Sequence, residues 1–574
     1  MTAIGIDFGT TNSVAALYSH GSVEVIPIGD PPAYWAAKGF DRVMPSVVAL
    51  DDFRKLRFGW DAKMLNTEVK FEAIKRLFKA EEIVSAGGED FLVEEIAAAL
   101  FTHIRSRVLA TGIDFNSGVI TVPANSRGLA RLRTKVCAGI GGIEPLALLN
   151  EPTAAAMAYS KRQVGAEQHV LVFDFGGGTL DVTLLDTREG MFFEQASAGI
   201  PRLGGIDFDN AILRDLVDHV PGAETWTTAQ KNRVRMEIEK AKIELSNTDE
   251  YTIVVEDLIP SGFRLTRPRF NQLTRPFLER SGTAIQKVLS DMRMAPGDID
   301  VLLLVGGTSK VPAVRQFVAE MAGREPASGV DPLTTVAEGA AIAAAILTGE
   351  ETDSDFVVST EHALGTVVLD TQAVELKFSP IINRNRKLPA RQTETFYPIF
   401  DEQESVHVSV IEGDPSESLA HADNVILTEF DVPIDPPRRV SEAGFDLTYT
   451  YDTDGLLHVD VVDAMTGAAL TDRVTVAFKG ARDPKDLVSM AGRVRAAVAT
   501  GEIAENGASV DTTLDPKSRD LVSRARSKVI PFVDDAEGNI LKDPVQRMVD
   551  ANENERAAAQ NDLESELRKY SFLW

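Results

Sequence analysis

The sequence predicts a multi-domain α/β protein followed by an antiparallel β unit and a helical tail, and three observations carry this. Its 574 residues correspond to roughly four units at about 150 residues each, so a single small domain is excluded. From residue 1 to about 349, short runs of β-forming residues alternate with helical stretches. Beyond that the pattern changes twice, first to strict apolar–polar alternation and then to helical spacing.

In the first segment, Val119-Ile-Thr-Val122, Val170-Leu-Val-Phe173 and Val301-Leu-Leu-Leu-Val305 are near-continuous apolar runs. Fully buried strands of an α/β sheet read this way. The alanine-rich stretch 336–347 reads as a buried helix, and Gly349-Glu-Glu-Thr-Asp-Ser-Asp355, polar and aperiodic, as a linker. Val406-His-Val408-Ser-Val410 and Phe445-Asp-Leu447-Thr-Tyr449-Thr-Tyr451 then alternate, and Asp454-Gly455 offers the positive φ values of a tight hairpin. After Asp483, Ala, Arg, Lys, Glu and Leu recur at helical spacing, with Pro531 and Pro544 expected to bound helices. The expected units are therefore 1–350, a linker 351–359, a β unit 360–480 and a helical tail 481–574.

Composition narrows function. Apolar residues make up 44% and charged residues 25%, an ordinary globular balance, and the net charge of −27 repels nucleic-acid backbones and anionic lipid. Nucleic acid and membrane are not expected partners. The opening Met-Thr-Ala-Ile-Gly-Ile-Asp7 has no basic stretch before its apolar residues, and no run of about eighteen apolar residues occurs, so a cytoplasmic location is expected. The lone Cys137 excludes an intrachain disulfide and reads as a small buried hydrophobe.

Ile4-Gly-Ile-Asp7-Phe-Gly9-Thr10-Thr11 recurs in altered form as Leu171-Val-Phe-Asp174-Phe-Gly176-Gly177-Gly178-Thr179-Leu-Asp181, which marks a duplicated unit. Each copy is a strand ending in Asp, then Gly and Thr, then a second strand. Such a hairpin suits a phosphate chain: glycine lets backbone N–H groups approach, threonine adds hydroxyl donors, and the carboxylates hold a hydrated cation. A third element, Val305-Gly306-Gly307-Thr308-Ser309-Lys310, follows a buried strand and opens a helix whose N-terminus could face an anion or a nucleoside. It is not a Walker loop, for no Gly-x4-Gly-Lys-Ser/Thr occurs.

With these pieces in order, the chain resembles the seventy-kilodalton heat-shock (DnaK-type) chaperone family. Ile6-Asp-Phe-Gly-Thr-Thr-Asn-Ser13, Asn150-Glu151-Pro-Thr-Ala-Ala-Ala156, Phe173 through Asp181, Leu203-Gly204-Gly205, Glu239-Lys-Ala-Lys-Ile-Glu-Leu-Ser246, Asn385-Arg-Lys-Leu-Pro389, Val410-Ile-Glu-Gly413 and Asp454 through Val459 carry the resemblance. It covers about residues 1–480. The implied fold is a duplicated actin-like (ribonuclease-H-like) ATPase domain, an antiparallel β-sandwich and a short helical lid.

The resemblance implies an ATP/ADP site in which Asp7, Asp174 and Asp181 hold Mg²⁺, largely through water. Thr10, Thr11, Thr179, Gly176, Gly177 and Gly178 would cradle the phosphates, Lys75 would reach the γ-phosphate, and Glu151 with Asp174 would orient the attacking water. Gly204, Gly205, Glu239, Lys242, Ser246, Gly306, Gly307 and Ser309 match nucleotide-pocket positions. Leu369, Phe396, Val406 and Val408 fall where the family lines its peptide pocket.

The implied function is ATP-driven binding and release of extended apolar client segments, with a J-domain co-chaperone and a nucleotide exchange factor as partners. The chain departs from the family at four places. The linker reads Ser354-Asp-Phe-Val-Val358 followed by Ser359 without a closing acid, Ala147 stands where an arginine docks J-domains, Ile399 replaces a small residue over the groove, and the tail is short. Pro123 and Arg131, positions the family uses to relay nucleotide state, are both present. A divergent member resembling the HscC-type branch is therefore expected. A second reading, an ATP-gated module that binds one dedicated partner with little turnover, is kept open by the altered linker. A sugar kinase or filament protein on the same superfold leaves everything after the linker without a role.

Overall fold

The computed structural model describes residues 2–78, 83–86, 89–126, 128–161, 167–188, 191–351, 360, 362–370, 375–384, 386–387, 389–420, 424–452, 457–472, 474–475, 484–501, 514–530, 533, 535–551 and 555–570. Most of the expected linker, the Asp454-Gly455 turn, Asn385, Leu388 and Pro531 lie outside them.

Two of the sheets in the N-terminal part are built on one plan. In the first, Ala3–Phe8 runs parallel to Ser117–Val122, which runs parallel to Glu144–Asn150. On its other side Ala3–Phe8 turns back into Asn12–Ser19 and then Ser22–Ile26. In the second, Gln168–Phe175 runs parallel to Val301–Val305 and turns back into Leu180–Arg188 and Met191–Ile200. Each central strand carries its aspartate, Asp7 or Asp174, one residue before its C-terminal phenylalanine and a tight turn. The repeat in sequence is thus a repeat in space. Ile4, Ile6, Val170, Val172 and Leu303 are buried, as β-branched and aliphatic residues are in strands covered on both faces.

The first sheet and helices Glu151–Ser160 and Thr335–Thr348 share one core, to which Val170, Val172, Val301 and Leu303 of the second sheet also belong. Small side chains make this possible. A Cβ on Gly339 would lie 1.7 Å from the Ala154 carbonyl oxygen, and one on Gly5 would lie 2.1 Å from the Ala341 nitrogen. The alanine-rich stretch is needed for close approach, not only for helix propensity. Just after this helix, Glu351 is buried and accepts from the Tyr18 hydroxyl and the Lys161 ammonium.

The next unit holds two four-stranded antiparallel sheets. One runs Glu375–Ile382, Ala363–Asp370, Ser405–Gly413, Val425–Pro433, and the other Ala390–Phe396, Phe445–Tyr451, Leu457–Asp463, Val474–Thr475. Leu364, Ile382, Val408 and Val410 of one sheet share a core with Leu447, Tyr449 and Val459 of the other. The Tyr449 hydroxyl donates to the Gly365 carbonyl across the gap at 2.8 Å. This unit also touches the first part: both Glu412 carboxylate oxygens accept from Gly128 N at 3.3 Å, and Leu129 and Leu132 pack on its core. A carboxylate at the N-terminus of helix Gly128–Ile140 is favoured by the helix dipole.

Among the described residues the tail includes the α-helices Pro484–Thr500, Pro516–Arg524, Asp535–Asp550 and Arg556–Arg568. Met490 and Val494 join the core around helix Val93–Ala110, and Leu521, Leu541, Met548 and Leu563 join the core of the second sheet. Arg202 donates to the carbonyls of Ile530 and Val533. Pro544 does not bound a helix but sits inside Asp535–Asp550. Leu541, Val545 and Met548, buried on either side of it, hold the helix through a break that costs about 3 kcal/mol in isolation. Among the described residues no helix is long and apolar enough to cross a membrane.

Candidate active site

The two Gly–Thr turns face each other, and both close by the same bond. Gly9 N donates to Asn12 O at 3.0 Å, and Gly176 N donates to Thr179 O at 3.2 Å. They approach through glycine against threonine: a Cβ on Gly177 would lie 1.8 Å from Thr11 Oγ1, and one on Gly178 would lie 2.4 Å from Thr10 Cγ2. Gly205 N donates to Gly176 O and Ile206 N to Gly177 O, so the segment opening helix Gly205–His219 braces the second turn from behind. Arg76, buried, donates to the Gly178 carbonyl at 2.9 and 2.6 Å and to Asp207 at 3.2 Å, tying the first half to the second.

Acidic groups converge between the turns. Asp174 stands opposite Asp181 in the antiparallel register. Burial, then the charge of Glu151, pushes Asp7 up to about 7. Burial raises Asp174 well above the usual carboxylate range, reinforced by Glu151, Asp181 and Asp7. The opposing cation is Lys75, whose Nζ donates to Glu151 Oε1 and to the Phe8 carbonyl, each at 2.6 Å. Asp7 also accepts from Thr121 Oγ1 at 3.1 Å. Burial beside other carboxylates therefore favours the protonated forms of Asp7 and Asp174 until a further cation joins Lys75 there. Among the described residues, Thr11 Oγ1 is buried with no hydrogen-bond partner. Among the described residues no three His, Cys, Asp or Glu side chains converge tightly enough to ligate a metal directly. An all-oxygen donor set of this kind fits a magnesium ion that keeps its water shell.

A small cavity of about 70 Å³, lined by Asp7, Thr10, Lys75, Glu151, Asp174 and Thr179, occupies this centre. It shares Thr10, Thr11, Gly177 and Gly307 with a larger cavity of about 400 Å³. Helix Thr228–Glu244, started by a capping box between Thr227 and Gln230, forms one wall of the larger space. From it Glu239 pairs with Lys63 at 2.7 Å and Lys242 with Asp209 at 2.7 Å, and Ser246 lines the wall just beyond.

Of the expected nucleotide residues, Gly205, Glu239, Lys242, Ser246 and Gly307 line the large cavity, and Gly306, with φ of 79°, lines the small one. Gly204 lies behind the second turn: a Cβ there would meet the Gly177 carbonyl at 2.4 Å. Ser309 is buried, its hydroxyl donating to Gly306 O at 2.7 Å, and Thr308 donates to Gly176 O at 2.8 Å. The helix expected to begin here and face the ligand begins later, at Pro312, because Gly307–Lys310 forms a 3₁₀ turn. The glycines and hydroxyls of this turn serve the hairpin and the cavity wall.

In the antiparallel unit, Phe396, Val406 and Val408 share one core, whereas Leu369 lies on the far part of its strand opposite Leu376. Ile399 is exposed on the loop after Phe396, beside exposed Tyr397 and Phe400. Ala147 is half-buried in strand Glu144–Asn150. Arg76, Lys63 and Asp209 escaped the sequence reading. Arg76 adjoins Lys75 in an ordinary basic pair, and only tertiary structure shows that it bridges two segments.

A family model described as "Hsp70 protein" matches residues 79–572. The chain is similar to "Chaperone protein DnaK" of Thermosipho africanus (strain TCF52B), 37% identical over 483 residues, which cover 81% of this chain and 78% of the relative. The DnaK protein of Thermotoga petrophila is 36% identical over 500 residues, 84% of this chain and 81% of the relative. That of Deinococcus deserti is 32% identical over 510 residues, 82% and 79% respectively.

Proposed function

Because the chain belongs to the Hsp70 family, we propose that the paired-turn cleft is its ATP site and that the antiparallel unit receives its clients. The protein is an ATP-dependent chaperone and an ATPase that uses ATP and ADP with Mg²⁺. Its fold is the mixed α/β, multi-sheet arrangement of that family. The finer reading is a duplicated actin-like ATPase domain over 1–350, a linker over 351–359, a β-sandwich over 360–480 and a helical lid over 481–574.

The observation that carries the site assignment is the cluster of Asp7, Glu151, Asp174 and Asp181 around Lys75, set between two glycine turns. Asp7, Asp174 and Asp181 would hold hydrated Mg²⁺, which when bound neutralises phosphate charge. Thr10, Thr11, Thr179 and the Gly177 and Gly178 amides would cradle the phosphates, while Gly176, whose own amide closes the turn onto Thr179, lines the cleft beside them. Lys75 would place its positive charge beside the negatively charged oxygens of the transferred phosphoryl group, and Glu151 and Asp174 would orient the attacking water and accept its hydrogen bonds. The nucleoside occupies the cavity walled by Glu239, Lys242, Ser246, Gly205 and Gly307.

Clients bind as extended apolar segments against Phe396, Val406 and Val408, with Leu369 at the margin. A dedicated J-domain co-chaperone and an exchange factor are the accompanying partners, in the cytoplasm. Single-turnover hydrolysis of Mg-ATP, with and without an apolar peptide, tests this reading. Slow turnover that peptide accelerates supports it, and nucleotide binding without turnover contradicts it.

A further inference from the structure

Glu194 lies within Met191–Ile200, the edge strand of the second sheet, yet it is bonded by residues of the first half. Thr153 Oγ1 donates to its Oε1, and Asn150 Nδ2 donates to Oε1 at 3.1 Å and to Oε2 at 3.0 Å. Asn150 is the N-cap of helix Glu151–Ser160. The Glu194 carboxylate therefore holds the first turn of the helix whose first residue is Glu151, at the end where the helix dipole favours an anion. Asn150 is fixed from its other side as well, its Oδ1 accepting from Arg131 Nη1 at 3.0 Å.

A fourth segment arrives from the antiparallel unit. Arg384 donates to the carbonyl of Ser197, three residues along from Glu194 on the same strand. Burial is the strongest influence on the Glu194 carboxyl and raises it, while Thr153, Asn150, Arg131 and Arg384 act to keep it ionised. A carboxylate withdrawn from water is costly unless partners compensate it. Here the partners come from helix Gly128–Ile140, strand Glu144–Asn150, helix Glu151–Ser160 and the antiparallel unit.

We propose that Glu194 is a positioning residue: it fixes the turn that displays Glu151 and, through Arg384, makes that position depend on how the antiparallel unit sits against the second sheet. The inference rests on the reading of Glu151 as the residue that orients the attacking water. It gives the chain a direct route from client unit to reaction centre.

The test uses full-length protein with Glu194→Ala, Glu194→Gln, Arg384→Met and Glu151→Gln. It measures single-turnover kcat, KM for ATP, stimulation by an apolar peptide, and thermal midpoint. Glu194→Ala is expected to lower kcat about tenfold with KM within about twofold, since orientation and not nucleotide contact is lost. Glu194→Gln, which keeps an acceptor for Thr153 and Asn150, is expected to recover most basal kcat. Like Arg384→Met, it should lose peptide stimulation, because the charge link is gone. A Glu194→Ala protein with a lower thermal midpoint but wild-type kcat, KM and stimulation overturns the inference. Should Glu194→Ala fail to fold, wild-type peptide stimulation in both Glu194→Gln and Arg384→Met overturns it equally. Full turnover by Glu151→Gln instead overturns the site assignment, and this inference with it.

Discussion

The Lys75 ammonium lies 2.6 Å from Glu151 Oε1, and both side chains are about nine-tenths buried. Among the described residues, Lys75 is the cation that lowers both of the raised carboxyls, Asp7 and Asp174. Without nucleotide, Lys75 therefore serves the carboxylates. On the proposed ATP reading the same charge would turn to the phosphate, so that ligand binding would exchange one partner for another in a largely buried setting.

Replacing Lys75 by Ala is expected to reduce single-turnover hydrolysis by about 10²–10³-fold, the scale for loss of one charge-stabilising group. Nucleotide affinity should change far less. Stopped-flow binding beside quenched hydrolysis checks this, and equal losses in both would contradict the assigned role.

The raised carboxyl of Asp7 makes stability depend on pH. Between the usual 3.8 and about 7, the folded protein holds a proton that the unfolded chain has released, so stability of the nucleotide-free protein falls as pH rises through that window. Mg²⁺ and nucleotide need the ionised carboxylates, so their stabilising effect grows over the same range. Thermal unfolding with and without Mg-ADP should show a larger upward shift at about pH 8 than at about pH 6. A shift that shrinks toward high pH would count against the metal role of these aspartates.

Two glycines separate packing from propensity. A Cβ on Gly204 would lie 2.4 Å from backbone oxygen of Gly177, whereas one on Gly139, in helix Gly128–Ile140, meets nothing within 4 Å. Gly204→Ala is expected to displace the second turn, lowering the thermal midpoint and weakening ATP binding. Gly139→Ala should raise stability by about 0.5–1 kcal/mol through reduced chain entropy. Calorimetry of the two variants checks the pair, and similar effects at both positions would refute the distinction.

Much of the site was legible in the primary structure because its demands are local. An aspartate ending a strand, then Gly and Thr, has few uses, and its recurrence at Asp7 and Asp174 pointed to both halves. Apolar runs such as Val301 through Val305 are buried strands, and the alternation around Val459 is an antiparallel strand, as expected. Lys75 is recognisable only through the family resemblance, since nothing local separates it from a surface helix lysine. Arg76 and Glu194 could not be read at all: each acts on a backbone or side chain far away in sequence, at Gly178 or at Asn150 and Thr153. Pro544 misled because tertiary packing of Leu541, Val545 and Met548 outweighs local helix breaking.

Val406 is half-buried in strand Ser405–Gly413, opposite Val432. Val406→Phe is expected to abolish binding of an extended apolar peptide while leaving ATP affinity unchanged. Overpacking could lower stability of the antiparallel unit by about 1–3 kcal/mol, so circular dichroism accompanies the binding assay. Undiminished peptide affinity in a folded variant would remove Val406 from the pocket.

The central claim, that ATP in the paired-turn cleft governs client binding by the antiparallel unit, is tested most directly by fluorescence anisotropy of one labelled apolar peptide. The peptide is titrated with full-length protein in ADP and in ATP, using Lys75→Ala to prevent turnover during the measurement. Linkage requires that if ATP weakens the peptide, the peptide weakens ATP by the same factor. The expected result is a peptide dissociation constant at least about fivefold higher in ATP than in ADP, the lower end of ordinary coupling. Equal peptide affinity in both nucleotides, with both nucleotides shown to be bound, would contradict it.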